Sequence, residues 1–417
     1  MTGGPARLVA RPYTGSVTTY LDHAATTPVR PEVAAAYTEE LGRLGNPSSL
    51  HGAGREARRR LEEAREQLAA AIGAEPAEVV LTSGGTEADN LAVKGAYWGR
   101  RATDPALRAV AISAVEHHAV LEAAEWLGEH EGADVTQLRV DSDGTLDLDH
   151  LDEVLAPGTV AVVSTMWANN ETGVLLPVPE VAARAHAAGV PVHSDAVQAV
   201  GKVPVHFARS GLDAMTLTGH KLGAPVGTGA LVARRDLTLT PVEHGGGQER
   251  GVRSGTLAVA GARALALAVE LAVADQEAEA DRLRGLRDRL VAGAVSAVDG
   301  LRLTGPADAE TRLPGHAHLT VADADVDAML LGLDMAGVAA SSGSACQAGV
   351  QQASHVLVAM GRDPQEARSA LRFSLGRTST RDDVDAVLAA LPSVIENARK
   401  AYATRRPRPA ATSGSVA

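Results

Sequence analysis

The chain has 417 residues, 39 basic against 51 acidic for a formal charge of −12, and only 2% aromatic residues. That balance excludes a protein held to phosphate backbones by basic surface, and the scarcity of rings excludes one that stacks on bases. With 45% apolar and 22% charged residues the composition is that of a globular protein, of a length that fits two or three domains and with a core of Ala, Val and Leu. No uncharged apolar stretch reaches the roughly 18 residues of a membrane span. Arg7 and Arg11 are followed by no continuous apolar run of secretory type, so a cytoplasmic protein is expected. The single cysteine, Cys346, cannot form an intrachain disulfide or a multi-cysteine zinc site.

Residues 1–18 read as a loose arm. Ala57, Leu61, Ala64, Leu68 and Ile72 share one helical face, with Arg and Glu opposite. A short apolar strand at 79–81 is stopped by Ser83-Gly84-Gly85, and a second helical pattern covers 86–98. Further strands are predicted at 109–113, 160–165, 190–193 and 214–218, with a helix at 178–188 between two of them. Buried strands alternating with helices predict an α/β sheet covered on both faces. Beyond about residue 260 the pattern changes to a long helix over 263–295, shorter mixed pieces, and a last helix over 382–402 that Thr380 and Asp383 cap reciprocally. Residues 406–417, rich in Pro, Arg and small residues, read as a disordered tail.

Four residues are lysine (94, 202, 221 and 400), so the other 35 of the 39 basic residues are arginine. Lys94 and Lys400 lie in polar helical patterns that read as solvated. Lys221 follows the strand at 214–218 and precedes a Gly-rich run, where a primary amine can form a Schiff base as arginine cannot. A surface lysine fits that local context as well. Asp195 lies at the end of a strand, one crossover length before Lys221, so the two can occupy neighbouring strand ends. An aspartate that keeps a pyridine nitrogen protonated and a lysine that takes an aldehyde are the protein groups pyridoxal phosphate needs; a helix cap is the other reading of Asp195. Thr82-Ser83-Gly84-Gly85-Thr86-Glu87, between strand and helix, offers close backbone approach, hydroxyls and a helix N-terminus to an anion, or is simply a helix start. The chain lacks the GxGxxG fingerprint of a nicotinamide dehydrogenase.

Taken together, LDHAATTP (21–28), GNPSS (45–49), TSGGTEADN (82–90), EHHAV (116–120), NNETG (169–173), HSDAVQ (193–198), GHK (219–221), RSGT (253–256), SSGSAC (341–346) and RFSLGR (372–377) resemble, in order, the motifs of cysteine desulfurases. These are pyridoxal-phosphate enzymes of the class V aminotransferase group, and the resemblance spans about residues 19–400. It implies a fold type I transferase. A large α/β domain (29–277) would carry a mostly parallel seven-stranded sheet between helices, and a small α+β domain (278–405) would carry the cysteine loop, with residues 19–28 packed on the small domain.

The same resemblance implies a role for each matching residue. Lys221 would hold the cofactor and act as base at the substrate α-carbon, and His117 would stack on the pyridine ring and move protons. Asp195 would pair with the pyridinium. Asn170 and Gln198 would bond near the phenolic oxygen or the substrate. Gly85, Thr86, Thr218 and His220 would hold the phosphate. Thr256 would reach the phosphate of a partner subunit, making a homodimer. Arg372 would take the carboxylate of L-cysteine, with Asn46 and Asn170 beside it. Cys346, flanked by small polar residues that suit an accessible loop, would collect the sulfur as a persulfide, leaving L-alanine, and could transiently ligate an iron–sulfur cluster. No other metal, and no direct contact with nucleic acid or membrane, is implied.

The sulfur would go to a protein acceptor such as an iron–sulfur scaffold or a transfer-RNA thiolation protein. A selenocysteine lyase or another class V aminotransferase-type enzyme is the alternative, and a non-catalytic scaffold is the rival outside enzymes. The sequence differs from many relatives after Cys346, where Gln347-Ala348-Gly349 follows, at Trp167, where a His is common, and at Thr218, where a Ser is common.

Overall fold

The structure is a computed structural model that describes residues 19–306, 308–343, 346–347, 350–351 and 353–405. The expected arm (1–18) and tail (406–417) lie outside the described residues.

The described residues open with β1 (Thr19–Tyr20), α1 (Pro31–Leu41) and α2 (Gly52–Ile72). The predicted face of α2 is buried, and Gly73 ends the helix in the left-handed region at φ 67°. Next come β2 (Val79–Thr82), α3 (Gly85–Thr103), β3 (Ala109–Ser113), α4 (His118–Glu131), β4 (Asp134–Leu138), α5 (Leu148–Leu155) and β5 (Val160–Ser164). They are followed by α6 (Val178–Ala187), β6 (Val192–Asp195), α7 (Phe207–Ser210), β7 (Ala214–Thr218) and β8 (Gly229–Ala233).

These strands form one seven-stranded sheet in the order β2-β8-β7-β6-β5-β3-β4. Only β8 runs antiparallel to its neighbours. Strands β3, β5 and β7 are buried at every residue, as expected where helices cover both faces, while β4, at the edge, is half exposed.

Side chains alternate between the two faces: Val79 and Leu81 join one apolar cluster and Val80 the other. Strand β5 breaks the alternation. Ala161 and Val162 both belong to the second cluster, because the register with β3 slips by one residue there, pairing Ala109 with Val160 but Val110 with Val162. Strand β6 begins later than its sequence suggests. Pro191 has no N–H to give to a ladder, so pairing starts at Val192 and runs on to Asp195.

Helix α8 (Val259–Ala297) then runs for 39 residues. Leu265 and Val269 pack in the first cluster, while Leu283 and Leu290 pack in a separate cluster with Phe373, Val387 and, from the N-terminal segment, Leu21. The expected boundary at 277/278 falls inside this helix. The remaining elements are β9 (Leu301–Leu303), β10 (His316–Val321), α9 (Val326–Met335), β11 (Val338–Ala339), β12 (Cys346–Gln347), β13 (Val350–Gln351), α10 (His355–Ala359), β14 (Ala370–Ser374) and α11 (Arg381–Arg405). Strands β14-β10-β9 form an antiparallel sheet, and β1 pairs in parallel with β11, tying the segment that begins at residue 19 to the separate cluster of Leu283 and Phe373. Thr380 and Asp383 cap α11 reciprocally, as their spacing predicts.

Candidate active site

A cavity of about 360 Å³ opens at the carboxyl ends of the parallel strands, where a doubly covered sheet presents a crevice. Gly85, Thr86, His117, Asn170, Asp195, Gln198, Thr218, His220, Lys221 and Arg372, all singled out in the sequence, line it. They arrive from the segments at the ends of β2, β3, β5, β6 and β7, and from within β14. Asp195 ends β6, and Thr218 ends the neighbouring β7, whose continuation carries His220 and Lys221 in a single 3-10 turn. The Lys221 ammonium donates to the carbonyls of Ala24 and, at 2.6 Å, Ala25. Burial and the nearby Arg372 cation lower its pKa to about 8, so the neutral amine is within reach near neutral pH.

Asp195 accepts from the Val197 N–H at 2.8 Å, and burial raises its carboxyl to about 6. No helix follows it, which leaves the capping reading without a helix to cap. Asp89, one turn into α3, faces the same space. It is buried with Oδ1 unpartnered, and burial and the Asp195 charge hold its pKa well above the usual carboxylate range. Ligand atoms of Asp89, His117 and Asp195 lie within 4.8 Å of one another.

His117 caps α4. Its Nδ1 accepts from the Ala119 N–H at 3.1 Å, which leaves Nε2 as the protonated nitrogen of the neutral ring. Its pKa is lowered to about 4 by loss of hydration on the ring face turned into the cavity, helped by the Lys221 charge, although part of the side chain stays exposed. Glu116, immediately before it, is 1% exposed and held neutral by burial, its pKa pushed up to about 8. Of the Asn-Asn pair, Asn169 builds the turn, its Oδ1 accepting from the Glu171 and Thr172 N–H groups, and Asn170 lines the cavity.

An anion cradle stands opposite. α3 starts at Gly85 with no side-chain cap, so its first N–H groups face the space beside Thr86, Thr218 and His220. Strand β8 crosses directly below: a Cβ on Gly229 would lie 2.6 Å from the Gly84 Cα. The cradle, the buried carboxylate and the amine of lowered pKa together fit a phosphorylated pyridine aldehyde. Lys221, Asp195, Thr86, Thr218 and His220 are the residues that could hold it.

Arg372 comes from β14, 5% exposed, and donates to the Asn170 carbonyl at 2.9 Å and to Asp22 at 2.8 Å. Asn46 and Thr256 are exposed and do not line the cavity within this chain. The backbone of Cys346 differs from the expected loop. It forms strand β12, pairing antiparallel with β13 so that Cys346 faces Gln351 and Gln347 faces Val350. Its side chain lies outside the described residues. Ser341 and Gly343, just before it, line the cavity.

The profile of the family Aminotransferase class-V matches residues 19–387. The chain is 53% identical over 383 residues to the IscS-like cysteine desulfurase of Mycobacterium tuberculosis, covering 92% of this chain and 97% of that protein. The chain belongs to the class-V aminotransferases, on their cysteine desulfurase branch. Another member, cysteine desulfurase NifS of Azotobacter vinelandii, is 42% identical over 385 residues, 91% of this chain and 93% of that one. Among solved structures, a NifS-like protein from Rickettsia africae superposes with a TM-score of 0.81 at 32% identity, covering 91% of this chain and 99% of that one. SspA in complex with cysteine gives 0.73 at 29% identity, over 85% and 98% of the two chains.

In and beside this class-V site stand three residues to which the sequence alone assigns no role: Asp89 on the cavity wall, Glu116 next to His117, and Lys202 on Gln198. Asp89 and Glu116 stand inside quoted motifs, and the three-residue step from Thr86 to Asp89 on one helical face was the available signal. Lys202 was visible as a lysine retained in an arginine-rich chain.

Proposed function

We propose that the protein is a pyridoxal-phosphate-dependent cysteine desulfurase that converts L-cysteine to L-alanine and collects the sulfur as a persulfide on Cys346. The observation that carries this reading is the convergence, in one cavity, of Lys221, Asp195, the α3 cradle and Arg372. Bound there, pyridoxal phosphate would supply the electron sink for a carbanion at the substrate α-carbon. Lys221 would hold the cofactor and, as a free amine, would take the proton from that carbon. Its pKa of about 8 suits a base working near neutral pH. His117, neutral with its proton on Nε2, would lie against the ring and carry protons. Asp195 would hold the proton of the pyridine nitrogen, and Thr86, Thr218, His220 and the N–H groups at Gly85 would bind the phosphate. Gln198 and Asn170 would bond on the phenolic side.

Arg372 binds the substrate carboxylate with the N–H groups that Asp22 and Asn170 leave free. The Cys346 thiolate attacks the substrate sulfur. An S–S bond forms as the Cβ–S bond breaks, the electron pair passes to Cβ, and a proton completes the methyl group of alanine. A protein acceptor then takes the persulfide sulfur for iron–sulfur cluster assembly or transfer-RNA thiolation.

The working unit is a homodimer. Leu44 and Leu50, flanking Asn46, are 88% and 90% exposed, and residues 47–48 line one groove with 248–250, the segment leading to Thr256. A partner covering this face would bury the leucines and bring Thr256 to the second cavity. No helix among the described residues is long and apolar enough to cross a membrane.

The test is the absorbance spectrum of the purified protein, followed by alanine and sulfide assays with L-cysteine and a thiol reductant. A cofactor band near roughly 400 nm with both products in equal amounts is expected. Lys221→Ala should lose the band, and Cys346→Ala should keep the band and lose sulfide. A Cys346→Ala protein that still turns over amino acids would move the reading to a transaminase. Faster release from selenocysteine than from cysteine would move it to a selenocysteine lyase.

A further inference from the structure

Of the four lysines, Lys202 has no part in the chemistry above, yet it lies beside it. Asp195 ends β6, and the chain then winds through a turn in which the Val200 N–H reaches Ala196 O and the Lys202 N–H reaches Ala199 O. Gly201 closes the turn at φ 69°, and a Cβ there would lie 2.7 Å from that of Ala272 on α8, so glycine is needed for both conformation and space. The turn brings the Lys202 ammonium 2.5 Å from Gln198 Oε1. On the other side of the same amide, Gln198 Nε2 donates to the Ala24 carbonyl at 2.9 Å. That carbonyl also accepts from Lys221.

An ammonium has only donors and a backbone carbonyl only acceptor lone pairs. Placed at opposite ends of one carboxamide, they leave a single orientation: oxygen toward Lys202, nitrogen toward Ala24. The flipped amide would set Nε2 against the ammonium and oxygen against oxygen. Gln198 lines the cavity, and one of its two Nε2 hydrogens is used by Ala24, so the second is left for the cavity side.

We infer that Lys202 is a positioning residue, which in its charged form fixes the Gln198 amide so that the site presents an N–H donor rather than a carbonyl oxygen. The inference rests on the reading of Gln198 as facing the phenolic oxygen of pyridoxal phosphate, an anionic acceptor that such a donor suits. It also gives a reason for a lysine at this place. Its compact ammonium fits the partly buried turn; burial with the neighbouring Lys221 and Arg372 cations lowers its pKa to about 7, so its hold on the amide is strongest below that pH, where it has no lone pair.

The test is a double-mutant cycle of Lys202→Met and Gln198→Ala, with Lys202→Arg as the charge-retaining variant. The measured quantities are the dissociation constant of pyridoxal phosphate from the stripped protein and the wavelength of the bound cofactor's band. Lys202→Met should weaken binding about tenfold, the scale of one hydrogen bond to a charged group, and shift the band. In the Gln198→Ala background its effect on both should be several-fold smaller, since only the direct field of the ammonium on Lys221 and His220 remains, and Lys202→Arg should recover most of both. Equal effects in the two backgrounds would overturn the inference, since Lys202 would then act without Gln198; so would a folded Lys202→Met protein with wild-type band and affinity. If the unsubstituted protein takes up no pyridoxal phosphate, the reading of the cavity fails on its own. The coupling is then read from urea unfolding of the same four proteins, where additive effects would overturn the Lys202 assignment and non-additive ones support it.

Discussion

Asp22 and Arg372 form a 2.8 Å ion pair, with side chains 21% and 6% exposed, that ties the N-terminal segment to the wall of the cavity. The same guanidinium donates to the Asn170 carbonyl, and its Nε is buried without a partner. The group assigned to the substrate carboxylate is therefore already held by a carboxylate. Asp22 orients the fork and, on the proposed function, would compete with the substrate for it.

Asp22→Asn keeps an acceptor for Arg372 and removes the competing charge. The KM for L-cysteine is expected to fall about fivefold, the scale of a partly exposed ion pair worth ~1 kcal/mol. Arg372→Ala should lower kcat/KM by an amount on the order of 2–5 kcal/mol, because a carboxylate is left without its charged partner. Arg372→Lys, which keeps the charge but not the fork, should fall between them. Steady-state kinetics of the three variants decide it, and an unchanged kcat/KM in Arg372→Ala removes Arg372 from the substrate site.

Glu116 gives a pH dependence of known sign. Its Oε1 accepts from Ser113 Oγ and, at 2.6 Å, from the Met166 N–H, while burial raises its pKa from 4.5 to about 8. A carboxyl whose folded pKa is raised stabilises the fold fully below its unfolded value and loses that contribution as pH rises through the folded one. The window is therefore 4.5 to about 8. Glu116→Gln keeps the accepting oxygen and cannot ionise. The variant should gain on the wild type as pH rises through that window, by at most about 1.4 kcal/mol per pH unit. Urea midpoints of both proteins, measured at several pH values between about 6 and 8, give the difference directly. Parallel curves would show that Glu116 is ionised throughout.

Gly229 tests the anion cradle from below. A Cβ at this residue of β8 would meet the Gly84 Cα at 2.6 Å and its carbonyl carbon at 2.8 Å. Both are backbone atoms, so Gly229→Ala must push the Ser83-Gly84-Gly85 turn toward the cavity or open the β2–β8 pairing. Affinity for pyridoxal phosphate should fall more than tenfold, with stability lowered by about 1–3 kcal/mol as for other overpacked sites. Loss of stability with unchanged cofactor affinity would place the phosphate elsewhere.

The sheet was legible because β3, β5 and β7 are buried on both faces and so read as unbroken apolar runs, and α2 because its apolar period is regular. Asp195 and Lys221 could be joined from sequence since one crossover separates neighbouring parallel strands, and β6 and β7 are indeed adjacent. The slip in β5 was not legible: Val160 to Ser164 is apolar or small throughout, and nothing in it marks Ala161 as the extra residue. Nor was the setting of Arg372, whose partners Asp22 and Asn170 lie 350 and 202 residues away. Lys202 was legible in kind, as a lysine among arginines, but its contact with Gln198 depends on the turn closed at Gly201.

A buried ion pair anchors the segment that leads to Thr256. Glu249 is held at φ 44°, in the left-handed region, and accepts from Arg65 twice, at 2.7 and 2.9 Å, and from the Leu81 N–H at 2.8 Å. One carboxylate thus fixes the 245–256 loop to α2 and to the edge strand β2. Glu249→Ala leaves Arg65 buried beside a free backbone N–H, a loss of about 3–5 kcal/mol if the loop cannot move. Glu249→Gln keeps one acceptor and should cost less. If the loop serves the cavity of a second subunit, the destabilised variant should also lose cofactor affinity and dissociate at higher concentration than the wild type. Denaturation, cofactor titration and sedimentation of Glu249→Ala measure the three. A stability loss with neither of the others would confine Arg65 and Glu249 to holding the fold and remove the loop from the dimer site.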